Sequence, residues 1–482
     1  MTLTSTDLLA LLPFFVVALT VLGVMGGITY KRHHFFSATL TVIGLNLALL
    51  SLIPVWFVTP QQVTPLLLVD GYSVFYMALT LVASLACSTL SHAYLDTYPD
   101  RREEFYLLLL CSTLGAMTLV AACHMASLFI GLELLSVPLY GMAAYTCRDR
   151  ISLEAGIKYM VLSGAASATL LFGMALLYAV SGSLAFENLA VFATIVAPAS
   201  WLVIGVGMIV IAFGFKLSLV PFHLWTPDVY EGAPAPASAY LSTVSKLAAF
   251  AVLMRFVIMS HSIDESWVPG MVAVIAFLSM LIGNLLAVRQ NNIKRLLGYS
   301  SIAHLGYLLT MIAASEGIAV EAAGVYLATY IATMLGAFGV VALVSSPYSG
   351  TDAAGLHNYR GLFWRRPYLA SVLTVMMLSL AGIPITAGFI GKFYALATGM
   401  QSDLWWLVAG IIIGSAIGLY YYMRVTISMF MDKPGQIRRD AVNEWGQRSG
   451  GLMVWLLAIA VLVMGIYPEP LIAFIHAAGI AR

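Results

Sequence analysis

Charge is what this chain has least of. Only 9% of its 482 residues are Asp, Glu, Lys or Arg, where soluble domains carry about a quarter. That is too little to cover a water-facing surface, so a soluble globular protein is excluded. The 23 basic and 22 acidic residues nearly cancel to a net charge of +1. With no long like-charge run either, a nucleic-acid partner or a charged interaction tail has no basis. Cysteines number four, Cys87, Cys111, Cys123 and Cys147, scattered through apolar segments without CxxC or Cys/His ligand spacing. This argues against an iron–sulfur cluster or structural zinc and leaves them as small packed hydrophobes. No dinucleotide fingerprint in a βαβ context and no haem-ligand pattern occurs, so the chain is expected to bind no redox cofactor itself.

What is present is apolar: 61% of residues are hydrophobic and the mean hydropathy is +0.94. A bilayer core about 30 Å thick takes about 20 apolar residues per helix. On that measure about fourteen spans are expected, near residues 8–30, 36–58, 71–95, 105–122, 124–146, 155–181, 199–221, 237–260, 267–288, 297–314, 320–345, 367–400 with a break, 403–430 and 449–477. The expected fold is therefore an all-α polytopic membrane protein. The first span lacks the basic region and cleavage site of a signal peptide and is expected to stay as a helix. One side of the membrane receives Lys31 and Arg32, Arg101 and Arg102, Arg148 and Arg150, Arg289, Lys294 and Arg295, Arg360, Arg365 and Arg366, then Lys433, Arg438, Arg439 and Arg448. The connections near 59–70, 182–198, 261–266, 315–319 and 401–402 contain neither Lys nor Arg. The positive-inside rule then puts the basic loops in the cytoplasm and both termini outside. Arg255 and Arg424 are expected to snorkel from helix ends.

Against this background a few deep polar residues stand out. Lys216 and Lys246 flank a stretch interrupted by Pro221, Pro227, Pro234 and Pro236. A lysine at mid-membrane costs roughly 2.5–3.5 kcal/mol on insertion scales, so each needs a partner or a wet cavity. A broken helix at that depth is likewise tolerated only against protein or water. Glu133 lies about nine residues into the fifth span, roughly 13 Å deep, where its charge would depend on a nearby cation, with Lys216 the candidate. Lys392 follows an interruption at Gly382, Ile383 and Pro384, and His304 lies within the tenth span as a candidate proton relay. His223, beside Pro221, either bridges two halves of a path or caps the broken helix. Glu154 and Lys158, four apart, share a helix face, as a proton entry or as an interfacial ion pair. Asp228 and Glu231 read as solvated or capping residues.

The seventh span carries Lys216 with Pro221 shortly after it, and the twelfth carries Pro384 with Lys392 shortly after it. Five spans separate them, so the two broken helices run in opposite directions. Spans 4–8 and 9–13 are then expected to be inverted five-helix repeats, as in many secondary transporters. The chain divides into three N-terminal helices (1–100), a first repeat (105–260), a second repeat (267–430) and a C-terminal helix (449–482), all within one membrane domain.

Four stretches, GLELLSVPLYGMAAY, FKLSLVPFHLWTPDVYEGAPAP, QNNIKRLLGYSSIAHLGYLL and LSLAGIPITAGFIGKFYAL, resemble the signatures of the antiporter-like subunits of proton-translocating NADH:quinone oxidoreductase, respiratory complex I. They also resemble subunits of multisubunit cation/proton antiporters. Within complex I the resemblance is to a bacterial member without the lateral helix of subunit L and with Lys392 where subunit M carries glutamate. It implies that Glu133 and Lys216 form a coupling pair, that Lys246 and His304 continue a hydrophilic axis, and that Lys392 is the terminal proton carrier toward the periplasm. It further implies a bacterial inner-membrane location and neighbours in subunit M, small subunit K and the lateral helix of subunit L. NADH, FMN, iron–sulfur clusters and quinone would belong to partner subunits. Two other readings compete with this one: a sodium/proton antiporter subunit working without a redox partner, and a purely structural scaffold.

Overall fold

The computed structural model describes residues 4–96, 98, 101–188, 199–260, 267–314, 318–345, 352–432 and 445–479. In lipid every backbone N–H and C=O must be paired within the chain, so long apolar runs become helices. They do so here: α1 (Ser5–Ala10), α2 (Leu12–Tyr30), α3 (His34–Trp56), α4 (Gly71–Leu95), α5 (Glu104–Val120), α6 (Met125–Ala143), α7 (Arg150–Ser181), α8 (Ala199–Lys216), α9 (Trp225–Gly232), α10 (Ala235–Ser242), α11 (Val244–Ser260), α12 (Trp267–Val288), α13 (Ile293–Ala314) and α14 (Ala319–Val344). After the short helix α15 (Leu362–Arg365) come α16 (Pro367–Ala381), α17 (Ala387–Gln401), α18 (Trp405–Phe430), α19 (Trp445–Ile466) and α20 (Glu469–Ala477). Eleven helices among the described residues are long and apolar enough to cross a membrane, counting α10 and α11 as one. Three shorter apolar helices, within α5, α8 and α16, stand at other expected positions.

Burial separates the centre from the lipid face. The most apolar stretches of α13 and α14 are wholly buried against other helices, whereas only 22% of that of α2 is. Leu19 and Leu22 of α2 are left exposed, as lipid-facing residues should be. Where helices cross closely, small residues are required. A Cβ on Gly115 of α5 would lie 2.3 Å from the backbone nitrogen of Leu135 on α6. Helix α5 packs on α6, α7 on α8, α12 on α13 and α14 on α17.

Several local expectations are corrected. The seventh helix stops at Lys216 rather than running to 221, and the eighth is interrupted at Thr243. The connection near 59–70 holds a two-stranded antiparallel hairpin, Gln61–Thr64 with Leu67–Val69, pairing Gln61 with Val69 and Gln62 with Leu68. Arg255 does not snorkel: it is 4% exposed and paired with Asp70. Arg424 turns its guanidinium onto the carbonyls of Val288 and Gln290. Cys147 is exposed, unlike the buried Cys87 and Cys123. Lys433, Arg438, Arg439 and the connections 189–198 and 261–266 lie outside the described residues.

Candidate functional site

Both helix interruptions leave carbonyls that the helix cannot satisfy, and a lysine ammonium fills one at each. At the first break α8 ends on Lys216, Ser218 takes a φ of 61°, and the chain resumes as α9. Lys246 of α11 donates to the Lys216 carbonyl at 2.7 Å and also to the Ser218 hydroxyl. Its ammonium lies 4.8 Å from the Trp225 ring centre. Trp225 Nε1 takes the neighbouring carbonyl of Phe215 at 3.1 Å. At the second break α16 ends on Ala381, with Gly382 left-handed at φ 83° as the helix stop. Lys392 of α17 donates to the Ala381 carbonyl at 2.9 Å and lies 5.4 Å from the Tyr307 ring centre. Cations suit the negative ends of helices.

Lys216 itself turns away from the break. Its ammonium donates to Ser136 Oγ of α6 at 2.7 Å and Ser163 Oγ of α7 at 2.6 Å, with the Tyr159 ring 5.9 Å away. Glu133 is half-buried one turn before Ser136 and accepts from Ser167, one turn after Ser163. The expected pair is therefore not an ion pair: no carboxylate lies within 4 Å of Lys216 among the described residues. Ser167 and Lys216 line the same narrow gap, too tight for a water molecule, with Leu132, Ala166, Leu170, Ala212 and Phe213. The carboxylate and the ammonium are thus held by different serines of α6 and α7, Glu133 by Ser167 and Lys216 by Ser136 and Ser163.

His304 sits in a cage of tyrosines on α13, α14 and α18. Its Nδ1 meets the Tyr326 hydroxyl at 2.7 Å and its Nε2 the Tyr422 hydroxyl at 3.3 Å, while Tyr307 and Tyr330 each centre 5.5 Å from its ring. Tyr330 bonds Ser301 at 2.7 Å, and Tyr422 bonds Ser300. Tyr307 lies beside both Lys392 and His304, its ring centre 5.4 Å from the ammonium and 5.5 Å from the imidazole. No direct bond joins Lys246 to His304 among the described residues. His223 is buried at the first break with its ring against the backbone of Pro221.

The charges expected at the membrane edge form a chain instead of a solvated fringe. Lys158 pairs with Glu154 at 2.6 Å and Asp228 at 3.0 Å. Arg295 pairs with Asp228 at 2.7 Å and Glu231 at 2.8 Å. Burial raises the pKa of Asp228, but the hydrogen bonds from Lys158 and Arg295 outweigh it and hold the carboxyl below its ordinary value. Lys294, 1% exposed, pairs with Asp352 at 2.6 Å and caps the Ala233 carbonyl at 2.6 Å.

Sequence reasoning passed over the serines 136, 163 and 167, the tyrosine cage, and the partners of Lys158. The signal for the serines was helical spacing: Ser136 lies three residues after Glu133, and Ser163 and Ser167 are four apart on one face. Tyr326 and Tyr330 carry the same i, i+4 signature.

The chain matches the family model described as NADH:quinone oxidoreductase/Mrp antiporter, transmembrane, over residues 122–418. It is 58% identical over 471 residues to a protein of Chromohalobacter salexigens named NADH-quinone oxidoreductase subunit N, covering 98% of this chain and 99% of the relative. A protein of the same name from Ectopseudomonas mendocina is 57% identical over 483 residues, covering 99% and 97%. A chain of respiratory complex I from Thermus thermophilus superposes with a TM-score of 0.82 at 31% identity, over 96% of this chain and 98% of that one. The fold alone is shared with a chain of the Mrp complex from Dietzia, with a TM-score of 0.85 at 19% identity over 98% and 97%.

Proposed function

The chain belongs to the NADH:quinone oxidoreductase/Mrp antiporter family of transmembrane subunits, and from that premise we propose that it is the proton-translocating membrane-arm subunit N of an NADH:quinone oxidoreductase. It moves protons across the membrane while electron transfer from NADH to quinone proceeds elsewhere in the complex. One observation carries the assignment of the path. Three lysines lie buried in the apolar interior, Lys216 at 5%, Lys246 at 0% and Lys392 at 7% exposure, and none has a carboxylate within 4 Å among the described residues. The buried cations Arg255 and Lys294 do have one, at 2.7 Å and 2.6 Å. An ammonium has three donors. Lys216 and Lys246 each place two and Lys392 places one on neutral oxygens. Groups left in that condition suit a cycle of losing and regaining a proton, whereas a structural cation is paired.

In this reading Glu133 and Lys216 form the coupling pair through Ser167, Ser136 and Ser163. Lys246 and His304 continue the axis through Ser218 and the tyrosine cage, and Lys392 is the terminal carrier on the periplasmic side. His223, Glu154 and Lys158 are secondary members. The chain would cross the membrane fourteen times in a bacterial inner membrane with both termini periplasmic. Residues 105–260 and 267–430 would be the inverted repeats after an N-terminal unit of 1–100, and 449–482 the C-terminal helix. Redox groups would reside in partner subunits, and subunits M and K and the lateral helix of subunit L would be its neighbours.

The test is substitution in the assembled complex. Lys216→Ala or Glu133→Ala is expected to lower NADH-driven proton pumping and quinone reduction by at least about tenfold for Lys216, a loss of about 1.4 kcal/mol of barrier lowering. NADH oxidation by ferricyanide, which needs only the peripheral redox subunits, stays at the parental rate. Undiminished pumping in either assembled variant would overturn the assignment. Co-purification of the flavin subunit with the chain separates this reading from an antiporter without a redox partner.

A further inference from the structure

The half-helix α9 is only eight residues long and is gripped at both ends by different kinds of group. At its start Thr226 donates to Ser218 Oγ at 2.5 Å, the same hydroxyl that accepts from Lys246, and Trp225 presents its ring to the Lys246 ammonium at 4.8 Å. One turn on, Asp228 and Glu231 project toward α13, where a single guanidinium nitrogen of Arg295 bridges both. Asn292 adds a bond to Glu231 at 2.8 Å, Lys294 holds the Ala233 carbonyl just past the end, and Lys158 of α7 holds Asp228 from the other side. A helix this short has little stability of its own. Its position is set by these grips together with the packing of its buried Trp225, Val229 and Tyr230.

We propose that Arg295 is a positioning residue for Lys246: by holding Asp228 and Glu231 it fixes α9, and through Trp225 and Thr226 it fixes the acceptors around the Lys246 ammonium. The inference rests on the reading of Lys246 as part of the proton path. Arg295 touches none of Lys246, Ser218 or Thr226 and shares no hydrogen-bond partner with Thr226; the half-helix, which carries Asp228 and Glu231 as well as Trp225 and Thr226, links them directly. Arg295 also sits on the helix that carries Ser300, Ser301 and His304. The grip therefore ties the broken helix of the first repeat to the axis of the second.

The test is a double-mutant cycle in the intact complex, reading NADH:quinone turnover and proton pumping at verified assembly. Arg295→Gln and Thr226→Val are each expected to lower both by about fivefold. If the two residues acted independently, the double variant would lose about 25-fold. Coupling through α9 predicts that the double variant stays near the fivefold loss of either single one. Arg295→Lys is expected to recover roughly half of the activity, because one nitrogen makes both bridging contacts and an ammonium can stand in for it. Losses that multiply, or parental turnover in Arg295→Gln, would overturn the proposal. Should Arg295→Gln fail to assemble, Glu231→Gln carries the same cycle with the same two outcomes. Lys246→Ala, run alongside, keeps the premises apart: full pumping in that variant refutes the proton-path reading, whereas its loss together with multiplying effects refutes only the role of Arg295.

Discussion

Among the described residues Lys392 has a single hydrogen-bond acceptor, the Ala381 carbonyl, and a tyrosine face. Its stem also packs against the left-handed Gly382, so the lysine and the helix break form one unit. If it carries a proton, what matters is its ability to release it, and a guanidinium cannot do so under protein conditions. Lys392→Met is therefore expected to lower pumping and coupled quinone reduction together, and Lys392→Arg, which keeps the charge, to remain similarly defective in vesicle pumping assays. An arginine variant that pumps like the parent would make Lys392 a fixed charge capping α16. The deep lysines, Glu133 and His304 were legible because charge in an apolar run is conspicuous. Their partners were not. Serine and tyrosine are unremarkable in membrane helices, and only three-dimensional packing shows that Ser163 receives Lys216 while Ser167 donates to Glu133.

Helix breaks were legible at the element scale from prolines and glycines, but their exact stops were not. Pro221 suggests a later end than Lys216, whereas the chain leaves the helix through Ser218 so that Trp225 and Lys246 can reach the freed carbonyls. The hairpin at 61–69 was invisible because each strand is three or four residues long and depends on contacts with the α5–α6 turn, such as Leu68 N to the Ala121 carbonyl at 2.9 Å. Arg255 shows the opposite failure. Near a helix end it reads as an interfacial side chain, yet it clamps the start of α4, bonding Asp70 at 2.7 and 3.1 Å and Ser73 at 2.9 Å while its guanidinium lies over Tyr72. Asp70 meanwhile caps α4 by accepting from the Ser73 N–H at 2.8 Å. Breaking a buried pair by removing one partner costs about 3–5 kcal/mol, while replacing both by apolar residues is often neutral. Arg255→Met and Asp70→Leu are each expected to lower the temperature at which the complex loses this subunit, and the double variant to recover most of it. Thermal dissociation followed on native gels checks this, and a double variant no better than either single one would mean that Asp70 matters as a helix cap alone.

The whole molecule has two polar ends, and α4 measures the distance between them. Its start, at Asp70, touches Arg255 and lies next to the hairpin, where the connections carry no Lys or Arg. Just past its other end Asp96 meets His34 and Arg102, and Tyr94 bonds Asp352, which pairs with Lys294. One 25-residue helix thus connects a basic-poor face to a basic-rich one, and the charged chain of Lys158, Asp228, Arg295 and Glu231 gathers at the second. Positive loops stay on the side from which a membrane protein inserts, so that face is expected to be cytoplasmic. The exposed thiol of Cys147 is a native reporter on it. With Cys147→Ser as background, Asn291→Cys is expected to react with an impermeant maleimide in inside-out vesicles and not in intact spheroplasts, while Gln62→Cys, on the exposed face of the hairpin, does the reverse. If Asn291→Cys labels from the periplasm, the orientation inverts. Lys392 would then lie on the entry side of the axis, and the direction assigned to every step between Glu133 and Lys392 would have to be reversed with it.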